Sequence, residues 1–151
     1  MSLFNGFNIS ASGLTANRLR MDVVSSNIAN ANTTRAQLVN GEWVPYRRKS
    51  VELTQSGKSP FALQLQSALQ KESAKVSGVI VTRIREDQTP FNLSYDPANP
   101  DADENGYVQL PNVDPIKEMV DLMSATRSYE ANVTALNASK NMFMKALEIG
   151  K

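Results

Sequence analysis

Apolar side chains recur every seven residues at both ends of this 151-residue chain. At the start, Phe7, Leu14, Met21 and Ile28 form one row. Ala11, Val24 and Ala31 fill offset positions on the same side, and polar Ser10 and Asn17 interrupt that second row. A seven-residue repeat marks one face of a helix that needs a packing partner. The spacing predicts a helix over 8–31, about 36 Å long at about 1.5 Å per residue. Ser2 is its candidate N-cap. The run Asn30-Ala31-Asn32-Thr33-Thr34 is its stop, because Asn and Thr favour turns over helix interiors.

The far end carries the stronger pattern. Asp114-Pro115 sets a capping residue before a proline at the first helical position. Leu122, Tyr129, Leu136 and Phe143 then recur every seven residues. Met119, Val133 and Leu147 are read as the partner row, with Thr126 and Lys140 as its polar members. Gly150 stands where a C-terminal glycine belongs. The predicted helix runs from Ile116 to Ile149, about 50 Å.

Between the stripes the periodicity changes. Trp43–Arg48 and Lys49–Leu53 read as extended, with alternation around Val51 and Leu53. The best strand is Val76–Arg85, rich in β-branched residues. Pro60 to Lys75 reads as either a short helix or a loop. Five prolines from Pro90 to Pro115 predict an extended, turn-rich tract. The fold class is therefore mainly α with a small β-containing middle. Long N- and C-terminal helices pack as a coiled-coil-like pair, with an inserted extended or β lobe. The domain reading is a discontinuous helical core, 1–36 with 114–151, and a middle lobe, 37–113.

Composition then removes whole classes of function. Hydrophobic residues at 41% and charged residues at 21% belong to a globular chain. The net charge of +1 argues against a protein that neutralises nucleic-acid phosphates or clings to an anionic membrane surface. There is no Cys and no His, so thiol nucleophiles, Cys/His metal sites and Ser–His pairs are gone. No apolar run approaches the roughly 20 residues of a membrane span. The start lacks the basic and long apolar regions of a cleavable secretory signal, so export would need another route.

The remaining motifs carry little chemistry. Asp101-Ala102-Asp103-Glu104-Asn105-Gly106 matches the first half of an EF-hand loop, but Asn112 stands where the bidentate Glu belongs. It reads as a surface turn. Ser56-Gly57-Lys58-Ser59 ends like a phosphate loop, yet Glu52 replaces its first glycine. Arg47-Arg48-Lys49, near Trp43 and Tyr46, reads as a charged strand edge rather than a nucleic-acid contact. Glu86-Asp87 has no partner base in view. No catalytic residue, cofactor or metal is assigned. The outward face of the first helix is poor in charge, with Arg18, Arg20 and Asp22 among Ser, Thr, Asn and Ala. Surfaces of that kind suit close packing on other helices. The run Asn27-Ile28-Ala29-Asn30 reads either as a frayed helix end or as amides that bond a neighbouring chain.

Those same residues carry a family resemblance. Ser25-Ser26-Asn27-Ile28-Ala29-Asn30-Ala31-Asn32-Thr33 resembles the N-terminal signature of bacterial flagellar rod and hook proteins, and Gly13-Leu14-Thr15-Ala16 agrees with it. Arg35-Ala36 follow where the broad pattern has a Gly and an aromatic. Tyr95–Pro100, Ala102–Asp114 and Glu118–Asn132 are similar to the proximal rod branch. Glu42 to Lys75 matches only loosely. The resemblance implies a structural subunit of the basal-body rod, outside the cytoplasmic membrane. It implies terminal helices packed around a central channel, and an outer middle lobe. It implies passage through the flagellar type III export apparatus, and termini that order on assembly. Its partners would be copies of itself, other rod proteins and that apparatus, with no nucleic acid and no membrane span. On this reading Phe7, Leu14, Met21, Ile28, Asn27, Asn30, Met119, Leu122, Tyr129, Val133, Leu136, Phe143 and Leu147 form the assembly interface. The other readings are a calcium-responsive coiled-coil adaptor and a different helical secretion-apparatus subunit. The latter are usually shorter and lack a middle lobe.

Overall fold

The computed structural model describes residues 3–56 and 77–149. Helix α1 spans Leu3–Ala29 and helix α2 spans Pro115–Ile149. Between them lie β1 (Gln37–Val39), β2 (Glu42–Val44), β3 (Lys49–Gln55), β4 (Val79–Glu86), β5 (Asn92–Tyr95) and β6 (Tyr107–Leu110). The strands form three two-stranded sheets, β1 with β2, β3 with β4 and β5 with β6. The expected class, two long helices with a small β middle, is the one observed. The Ser2 and Gly150 caps, Gly57-Lys58-Ser59, Val76 and the segment 60–75 lie outside the described residues.

The cap predicted for α2 forms. Asp114 Oδ1 accepts the Ile116 and Lys117 N–H groups at 3.0 and 3.4 Å, and Pro115 needs no acceptor. The asparagine run ends α1 through its own side chains. Asn30 Nδ2 donates to the Ser26 carbonyl at 2.9 Å, and Thr33 Oγ1 donates to Asn30 Oδ1 at 3.2 Å. Tyr46 N–H then bonds the Thr33 carbonyl, which turns the chain toward the strands.

The chain divides into two compact units. One holds Met1–Arg18, Glu52–Arg83 and Thr126–Lys151. Here the helices approach closely at Gly13, where an added Cβ would stand 2.9 Å from Asn132 Oδ1. Ala16 and Ser10 are buried there. Ser12 Oγ accepts the Val79 N–H at 3.1 Å, which ties α1 to β4. Across β3 and β4, Arg83 pairs with Glu52 at 2.6 Å and Thr54 bonds Thr82 at 2.8 Å.

The other unit holds Leu19–Val51 and Ile84–Ala125. Its apolar core is Val23, Val24, Tyr46, Val108, Pro111, Val113 and Ala125. Two hairpins in it add pairing to segments read from the sequence only as extended or turn-rich. β1 and β2 are antiparallel, with Leu38 opposite Trp43. Their turn is Asn40-Gly41, both at positive φ, as a two-residue hairpin of right-handed twist requires. The tract from Pro90 to Pro115 is more than extended and turn-rich. It contains the β5–β6 hairpin, with Tyr95 opposite Tyr107. The two rings meet edge to face at 5.3 Å, and Gly106 at φ +78° leaves room for the Tyr95 ring.

Candidate assembly interface

The second unit is organised around a polar knot. Asn27, in the last turns of α1, has no solvent exposure. Its Nδ2 donates to the Lys49 carbonyl and to Glu118 Oε2, both at 2.8 Å. Its Oδ1 accepts the Tyr46 hydroxyl at 3.0 Å and the Lys49 N–H at 2.9 Å. A primary amide has two donors and room for two acceptances, and all four are used. Glu118, also fully buried, receives Arg48 Nε on Oε1 at 2.6 Å. Arg48 further reaches Asp121 at 3.5 Å and Asp87 at 3.9 Å. Asn112 Oδ1 accepts the Arg48 N–H at 2.9 Å, and its Nδ2 donates to Thr89 Oγ1 at 2.8 Å. One connected network thus joins the end of α1, the chain leading into β3, the segment after β4 and the first turns of α2. The Thr89 N–H, with the Thr89 hydroxyl and Arg48 behind it, holds the Asp87 carboxyl below its ordinary pKa.

The polar residues singled out in the sequence are placed as follows. Asn27 uses its bonding capacity within its own chain. Asn30 serves the local helix stop. The Arg47-Arg48-Lys49 cluster turns inward. Arg48 enters the knot, Arg47 lies over the Phe91 ring at 4.4 Å and Lys49 lies near the Tyr46 ring at 5.7 Å.

The row along α2 is placed as follows. Leu122, Tyr129, Leu136 and Phe143 are all half-buried. The positions beside them that go deepest are Glu118 and Ala125, followed by half-buried Asn132 and Ser139. From Glu118 onward these alternate with the first row in steps of four and three, a heptad seam. Val133 is half-buried, but Met119 is 50% exposed and Leu147 is 70% exposed. The partner row therefore lies on the opposite flank from the one the apolar pattern indicates. At Asn132 the two helices come close, because Gly13 opposite it has no side chain to hold them apart. On α1, Leu14, Met21, Ile28 and Asn30 are half-buried, and Phe7 is 38% exposed. Val23, Val24 and Ala16 lie deeper.

The EF-hand-like segment is a structural tie. Asp101 receives Arg35 Nε at 2.7 Å on Oδ1 and is also paired with the Arg35 Nη2 group. Thr34 Oγ1 donates to Oδ2 at 2.8 Å. Gly106 N–H bonds the Asp103 carbonyl, closing a turn. Arg35 and Thr34 hold the Asp101 carboxyl below its ordinary pKa. With that charge already met by a guanidinium, the arrangement gives the calcium reading no support. Among the described residues no cluster of three acidic side chains is poised for a metal. Among them, too, no helix is long and apolar enough to cross a membrane.

What the knot and seam describe is a scaffold for packing, and the comparisons with known proteins agree. The family model for the flagella basal body rod protein matches residues 7–37. The model for the C-terminal part of flagellar basal body rod FlgEFG proteins matches residues 104–149. The flagellar basal-body rod protein FlgC of Bacillus subtilis is 63% identical, over 100% of both chains. FlgC of Borreliella burgdorferi is 43% identical, over 99% of this chain and 98% of its own. FlgC of Salmonella typhimurium is 40% identical over 100% of both chains. The signature around Asn27 and the block after Tyr95 thus point to the family that full-length similarity returns, and the chain belongs to the FlgC family of flagellar basal-body rod proteins.

Proposed function

We propose that the chain is built into the basal-body rod through its two terminal helices, as a structural subunit that carries torque across packed faces. One observation supports the helical route above the rest. Among the described residues, seven apolar side chains are buried and eighteen large ones are exposed. A monomer working alone rarely leaves so much apolar surface in water, whereas an assembly subunit covers it with neighbours. Eight of the exposed residues lie toward the two ends of α2, among them Ile116, Met119, Met142 and Leu147. The segments 1–36 and 114–151 supply the packing faces, and 37–113 forms the lobe that meets neighbouring rod components. The partners are further copies of this chain and other rod proteins, reached by flagellar export. Torque spread over many contacts needs no reactive group, which fits a chain without Cys or His.

The test is complementation. A motile bacterium lacking its own gene of this family is given this chain, and basal bodies are counted by electron microscopy. Restored rods and swimming are expected. Export of the chain without any rod in the cell envelope would overturn the reading.

A further inference from the structure

Two apolar surfaces lie toward opposite ends of α2. In its first turns Ile116, Met119, Val120 and Met123 are 73, 50, 55 and 55% exposed. Their spacing of three, four and seven puts them on one helix face, the pattern of a helix that anchors into a groove. In its last turns Phe143, Met144 and Leu147 join Phe7 of α1 and Lys140 to line an open groove of about 400 Å³. The stripe lies within 116–123 and the groove within 140–147 of the same helix, and a helix cannot fold its own stripe onto its own groove.

We propose that the stripe of one copy seats in the groove of a second copy, head to tail. This rests on the rod reading and names the contact between copies. Charge decides the occupant. Exposed Asp114 and Asp121 flank the stripe; Lys117 stands 3.6 Å from Asp114, and Arg48, 3.5 Å from Asp121, is already matched by the buried Glu118 at 2.6 Å. Lys140 and Lys145 flank the groove, with Glu148 as the one carboxylate among them, 2.7 Å from Lys145. The stripe end is thus net negative and the groove end net positive. Stripe on stripe would set like charges together, whereas stripe in groove sets opposite ones together. The contact is heterologous: each copy keeps a free stripe and a free groove, so it propagates a filament instead of closing a dimer.

The test uses opposite charges at two exposed positions. In the complemented deletion strain, Met119→Glu and Leu147→Lys each place a charge in the apolar contact. Each single variant should lower the number of assembled rods at least about tenfold. In the double variant the new carboxylate of one copy meets the new ammonium of the next, so assembly should recover well above either single. A double variant no better than the weaker single overturns the proposal, as do two single variants that assemble normally. Failure of the unmodified chain to restore rods would instead retract the rod reading.

Discussion

Asn27 shows how one amide can hold several elements. Its two donors and two acceptances reach Lys49, Glu118 and Tyr46, and none is left for water. Leaving such a group unmatched costs about 1–3 kcal/mol per lost partner. Asn27→Asp keeps the shape, removes both donors and sets a second carboxylate against Glu118. It should destabilise the unit by at least about 3 kcal/mol, read from denaturant unfolding. Arg48→Ala should cost about 3–5 kcal/mol in the same assay, because it strands the fully buried Glu118 charge. A smaller tie lies at Asp101. Its pKa is lowered from the ordinary 3.8 by Arg35 and Thr34, so the unfolded chain binds its proton more readily than the folded one. The stabilisation is complete above the ordinary carboxylate range and is lost as pH falls through the lowered pKa. Asp101→Asn should therefore melt below the wild type at pH 7, and the gap should close in acid.

At the level of elements, α1 and α2 approach most tightly at Gly13. An added side chain at Gly13 meets Asn132, and overpacking of this kind costs about 1–3 kcal/mol. Gly13→Val should lower the melting temperature, and adding Asn132→Ala should recover part of the loss, since the two positions share one contact. The α2 helix and its cap are legible in the sequence because Asp114-Pro115 and the recurring Leu122, Tyr129, Leu136 and Phe143 are local signals. The buried row beside it is not, because apolar Met119 and Leu147 stay exposed in the single chain while Glu118 and Ala125 are buried. Helix contact at Gly13 is set by how near the backbones come, which apolar periodicity does not mark. The β1–β2 hairpin is legible in principle, since Val39-Asn40-Gly41-Glu42 carries the Asn-Gly turn signal. The β5–β6 hairpin is harder. Its strands are four residues each and joined through Pro97 and Pro100, so only the long-range Tyr95–Tyr107 contact reveals the pairing. Asn27 stands out as an unusual helix residue, but Glu118, ninety-one positions away, has no local mark as its partner.

The whole chain combines a fully bonded polar knot with apolar helix faces left in water. The knot ties the end of α1 to the start of β3 and the first turns of α2, and large apolar side chains of α2 stay exposed. In the proposed assembly, contacts run through the terminal helices while the knotted unit folds without them. Leu136→Asp tests it most directly, because a half-buried leucine in the seam becomes a charge remote in sequence from the knot. The measurement is a count of assembled rods by electron microscopy in the complemented deletion strain. Amide exchange of the purified variant around Asn27, Val108 and Glu118 is read alongside it. Rods should vanish while those amides stay as protected as in the wild type. Normal rods and swimming in the Leu136→Asp strain would contradict that assembly.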